Sequence, residues 1–132
     1  MNFNMKNGSN ILRYLLVALF LLMGTMHFIM PEQYLAMMPS WLPAQLVLIY
    51  GSGLVEIALA VLLIPVKTRA LAAKLIIAML VIFLFAIHIP QSIDFYQTGN
   101  KNFVASLIRL PIQFLLIAWA WPFTKETTAT TI

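Results

Sequence analysis

The sequence contains no cysteine. That excludes disulfides, thiolate metal sites and dithiol relays together, and it leaves the redox state of the compartment unmarked. Charge is nearly as scarce. Only 9% of the 132 residues are charged, against about a quarter in an ordinary soluble domain. So few polar groups cannot coat a globule in water. Lys and Arg number eight, Asp and Glu four. The basic residues are scattered between apolar blocks rather than gathered in a patch, which excludes a nucleic-acid-binding surface.

What is present is apolar: 62% of the chain is hydrophobic. Four blocks, at 11–30, 44–64, 70–90 and 103–123, each approach or exceed the roughly 20 residues that cross a bilayer as a helix. Unpaired backbone is costly in lipid, so each block is expected to be helical. Barrel strands would be about 10 residues long with alternating polarity. The expected fold is all-α, an integral-membrane four-helix bundle over residues 11–123. An N-terminal cytoplasmic segment, 1–10, precedes it and a polar cytoplasmic tail, 124–132, follows. The first block resembles a signal peptide, with Lys6 and Arg13 ahead of it, but no small-residue cleavage site follows "LLMGTMHF". It is expected to be a retained anchor.

Orientation follows the positive charges. Lys6, Arg13, Lys67, Arg69, Lys74 and Lys125 fall near the termini and the second connection, and only Lys101 falls in the third. Both termini are therefore expected inside. Trp119 and Trp121 then mark the inner interface, and Tyr34, Trp41 and Tyr96 the outer one. "PEQYLAMMPSWLP", with three prolines, is expected to be a short interfacial helix and turn over the outer end, or simply an apolar surface loop. "HFIMP" and "HIP" close the first and third blocks, a faint internal echo.

The polar residues inside the blocks are few and lie at similar depth. His27 and His88 fall near the outer ends of the first and third helices. Ser52 and Glu56, four residues apart, share a face of the second helix. Arg109 and Gln113 share a face of the fourth. An ionised Glu at mid-membrane costs about 3 kcal/mol on insertion scales, so Glu56 is expected to face inward and find a partner. Arg109 is the expected partner, with Gln113 and His27 adding hydrogen bonds. The alternative is a neutral Glu56 bonded to Gln113 or to a carbonyl. Blander roles stand beside these: capping or hydration for the two His, interhelical glue for Gln113, close helix packing for the "GSG" at residues 51–53. Pro111 would be a bend that frees the Leu107 carbonyl. The eight Met would be adaptable packing.

In combination, the runs Gly24–x–x–His27–Phe28, Ser52–Gly53–x–x–Glu56 and Arg109–x–Pro111–x–Gln113 resemble the DoxX family of small four-helix membrane proteins. The likeness extends over about 11–121, through "GTMHFIMPEQYLAMMPSWLP", "SGLVEIALAVLLIPVKTRALAAKL" and "RLPIQFLLIAWAW". It implies a multi-pass protein of the bacterial cytoplasmic (inner) membrane, associated with redox complexes. Many members carry an Asn after Pro–Ala on helix three, where this chain has "FAIHIP".

The leading functional expectation is a quinone-linked or redox-associated membrane subunit. His27, Ser52, Glu56, His88, Arg109 and Gln113 would form its ligand pocket, with Glu56 as proton relay and membrane redox subunits as partners. The alternative is a non-catalytic assembly or stabilising partner of a larger membrane complex. A haem b held between His27 and His88 is the weaker reading, because both His lie close to the interface. A small-solute transporter would need a homo-oligomer. No residue pattern decides whether the chain is an enzyme.

Overall fold

The computed structural model describes residues 5–38 and 41–125, and of residues 5–7 and 37 the backbone alone. Most of the expected N-terminal segment's side chains, residues 39–40 and the tail from 126 onward lie outside this description. The described residues are helical, with no strand among them. The elements are α1 (Met5–Ile29), α2 (Pro31–Met37), α3 (Gln45–Leu62), α4 (Val66–Phe83), a π-turn (Leu84–His88), α5 (Ile89–Thr98), α6 (Phe103–Ala120) and a closing 3-10 turn (Trp121–Lys125). Four of the resulting helical stretches are long and apolar enough to cross a membrane.

Cross-contacts establish an up-down-up-down bundle. The indole of Trp119 donates to the Leu12 carbonyl at 3.0 Å, while Arg109 and His27 border the same cavity at the other end. Hence α1 and α6 run antiparallel. The Ser92 hydroxyl donates to that of Ser106 at 3.1 Å, and Gln113 reaches back to Leu80, so α4–α5 and α6 are antiparallel as well. Both ends of the described chain lie at one end of the bundle, and α2 lies at the other.

The end near the termini is closed by a dry core. Leu16, Phe20, Leu63, Ile76 and Phe123 are almost wholly buried among Ala60, Ala72, Ala73 and Ala120. Lipid is as apolar as leucine, so packing rather than water exclusion holds such helices together, and small residues let the backbones close in. Arg69, buried here, caps α3 by donating to the Leu63 and Ile64 carbonyls at 3.1 and 2.6 Å. Those carbonyls have no partner within their own helix.

The third span departs from the expected end at Pro90. It continues as one helical stretch, Val66–Thr98. Proline lacks an N–H, and its ring collides with the carbonyl four residues back in α geometry. The π-turn relieves that collision: the Ile89 N–H bonds to the Leu84 carbonyl, five residues back. The widened turn carries Pro90 inside the helix, which ends only at Gly99, in the left-handed region at φ 68°. At 1.5 Å per residue the 33-residue stretch is about 50 Å long, so it is tilted or extends beyond the hydrocarbon. Pro111, by contrast, sits within an unbroken α6.

α1 and α3 approach most closely where glycine meets glycine. A Cβ on Gly24 would lie 2.7 Å from the Gly53 carbonyl oxygen, and one on Gly53 would lie 2.6 Å from the His27 Cβ. Around Gly51 there is open space. Of the two glycines in "GSG", therefore, only Gly53 serves packing. Gly53→Ala and Gly24→Ala should each destabilise the fold by about 1–3 kcal/mol through overpacking. Gly51→Ala should be neutral, or stabilising by up to about 1 kcal/mol through helix propensity. Thermal unfolding in detergent checks the contrast, and equal effects at positions 51 and 53 would remove the close crossing.

Candidate functional site

The glycine crossing determines what lies one turn further on. Three residues after Gly24 comes His27, and three after Gly53 comes Glu56. These side chains meet, with His27 Nδ1 3.6 Å from Glu56 Oε2. The histidine is held in place twice. Its Nδ1–H donates to the Met23 carbonyl at 2.6 Å, which assigns the proton to that nitrogen. Its ring stacks on Tyr34 of α2, with centroids 3.9 Å apart. Pro31 starts α2 at its first turn, where a missing N–H costs nothing, and the short helix lies across the bundle mouth.

Beneath α2 is a cavity of about 330 Å³, at the lower end of the range for small-molecule sites. All six residues singled out from the sequence line it: His27, Ser52, Glu56, His88, Arg109 and Gln113. Apolar side chains such as Ile49, Phe83, Ile112 and Leu116 form the walls, and Gln33, Tyr34 and Met38 form the roof.

The expected Glu56–Arg109 ion pair is not formed. Among the described residues, the basic side chain within 4.0 Å of Glu56 is His27, at 3.6 Å and with no hydrogen bond to Oε2. Arg109 Nη1 instead donates to Gln91 Oε1 at 3.3 Å. The cause is the continuation of the third span past Pro90. A helix ending there would leave Gln91 in a connection outside the bundle. The π-turn keeps it helical and 1% exposed, beside Arg109. Gln91 is the lining residue that sequence reasoning missed. Its spacing of three from His88 carried the signal, but the proline concealed it.

Gln113 also differs from the expected role. It is not a partner of Glu56, because its Nε2 donates to the Leu80 carbonyl at 3.0 Å and so joins the fourth span to the third. The Ser52 hydroxyl bonds to the Ile49 carbonyl within its own helix. Glu56 Oε2 and His88 Nδ1 are buried and without a hydrogen-bond partner among the described residues. At the roof, burial pushes the Tyr34 phenol above its ordinary pKa; Glu56 acts in the same direction and Arg109 opposes it.

The arrangement offers an apolar slot with hydrogen-bonding groups at opposite sides: Glu56 with His27 on one, Arg109 with Gln91 and His88 on the other. Without a salt bridge to break, Glu56→Gln should change stability by no more than about 1 kcal/mol. A mutually dependent buried pair would lose about 3–5 kcal/mol. Thermal melts of Glu56→Gln and Arg109→Gln, singly and together, decide this. A large loss in each single variant that is not increased in the double would restore the direct pair.

No curated protein and no solved structure matches the chain. The DoxX likeness rests on the motifs alone. Residues 16–124, most of the chain and every lining residue named above, match the family described as Domain of unknown function (DUF8561). The chain is a member of the DUF8561 family.

Proposed function

We propose that this multi-pass membrane protein is a quinone-binding subunit of a membrane redox system. The observation that carries the reading is the cavity itself. Seven polar side chains from four helical spans converge in an apolar-walled space of about 330 Å³. A quinone headgroup is flat and apolar apart from two carbonyl oxygens on opposite edges. It needs apolar walls and a hydrogen-bond donor at each end, close to the membrane from which its tail enters. Arg109 supplies N–H donors on one side of the cavity; on the other, the His27 proton is committed to the Met23 carbonyl, so the donor there is the protonated carboxyl of Glu56.

Glu56 is the proton-handling group in this reading. It borders the cavity, its Oε2 lies 3.6 Å from His27, and His27 stacks on Tyr34 at the roof. These three residues form a line from the slot toward the bundle mouth. Reduction of a quinone consumes two electrons and two protons. In this scheme the chain binds the headgroup and hands on protons, and the electrons come from a partner redox subunit. The basic residues Lys67, Arg69, Lys74 and Lys125 lie at the end of the bundle shared with the termini. That supports placing this end in the bacterial cytoplasm and the cavity in the outer half of the inner membrane.

Titration of the purified protein in detergent with a short-chain ubiquinone should show saturable, single-site binding. Ser52→Phe, which fills the slot, should abolish it. Val55→Phe, at a position 46% exposed and turned away from the core, should leave it intact. Non-saturable uptake, or wild-type binding by Ser52→Phe, would overturn the proposal.

A further inference from the structure

We infer that the ligand enters the cavity with an ionised oxygen and that the Arg109 guanidinium is its counter-charge. This rests on the quinone-site reading and narrows it to a ligand class, an acidic hydroxyquinone.

The inference begins from a charge imbalance. Arg109 lies within a membrane-spanning helix and lines the cavity. A guanidinium keeps its charge, and at membrane depth that charge is costly unless paired. The sequence offers Glu56 as the mate, but Glu56 lies beside His27 instead, and its Oε2 has no hydrogen-bond partner among the described residues. No carboxylate among the described residues lies within 4.0 Å of Arg109. Its hydrogen bond is to a neutral amide oxygen, that of Gln91, at 3.3 Å. Charge-assisted N–H···O bonds are usually shorter, about 2.7–2.9 Å. The remaining N–H groups of its fork have no acceptor among the described residues.

The shape of that fork selects the ligand. A guanidinium presents two parallel N–H groups and matches two oxygens held side by side. A plain quinone carbonyl offers one neutral oxygen to it. A hydroxyl on the ring carbon next to a carbonyl, once ionised, offers the fork an adjacent O⁻ and C=O, its negative charge being shared through the ring with the opposite carbonyl oxygen. That pair satisfies the fork and supplies the missing counter-charge in one contact. The opposite ring carbonyl then faces the His27–Glu56 side. Gln113 cannot take the role of anchor, because its amide nitrogen is committed to the Leu80 carbonyl.

The test compares two probes that differ at one ring oxygen: an alkyl hydroxynaphthoquinone, ionised at neutral pH, and its uncharged methyl ether. Binding to the detergent-solubilised full chain is measured by titration. A charge-assisted contact predicts that wild type prefers the hydroxy compound by about tenfold or more. Arg109→Gln should bring the ratio of the two affinities close to one, and Arg109→Lys should keep a preference. Equal affinities in wild type, or a preference that survives Arg109→Gln, would overturn the inference while leaving the quinone site standing. Failure of both probes to bind would overturn the quinone site and the inference with it. Should Arg109→Gln fail to fold, the wild-type ratio decides, with Arg109→Lys as the folded comparison.

Discussion

The contact on which the rest depends is backbone against backbone, where α1 crosses α3 at Gly24 and Gly53. No side chain could occupy either position without pushing the helices apart. A helix pair held that closely has a fixed register, and register is what places a residue one turn later. His27 and Glu56 are one turn later on their respective helices. Two polar groups that would each be costly alone in an apolar span therefore face each other. The acid sits where sequence reasoning placed it in depth, but its neighbour is chosen by a glycine contact rather than by opposite charge.

The bundle divides its length between two tasks. Toward the termini, alanines and large apolar side chains close a dry core, and Arg69 caps a helix end. Toward α2 the helices leave a slot that no apolar side chain fills. Dry apolar packing is concentrated in the first half and polar side chains in the second. The π-turn lies at the slot. It lets a proline remain within a long helix, and it sets His88 and Gln91 along the cavity wall. Such turns are frequent at functional sites because they break the regular α-helical spacing of side chains locally.

Much of this was legible in the sequence. Apolar blocks of membrane-crossing length announced four helices, and the polar residues within them marked one level of the bundle. All six then proved to line one cavity. Residues 31–37 form a short helix, as one of the two readings of this proline-rich connection expects. Two things were not legible. Pairing was inferred from charge and depth, which say which residues share a layer but not which atoms meet. Rotation about each helix axis decides that, and close packing sets the rotation. Proline removes a bond and clashes in α geometry, so Pro90 reads as a helix end in the sequence. A π-turn avoids the clash, and no local pattern in "FAIHIPQS" announces one. Gln91, the partner of Arg109, was missed for that reason.

The measurement that bears most directly on the account is a crosslink between His27 and Glu56. The natural chain has no cysteine, so an engineered pair reacts without competition. His27→Cys with Glu56→Cys, treated in native membranes with a short bifunctional thiol crosslinker that spans the space of the two side chains and read by mass spectrometry, should be joined within one chain in high yield. His27→Cys with Val55→Cys, one residue away but turned outward, should not. No bond in the first pair, or equal yield in both, would contradict the crossing from which the site is built.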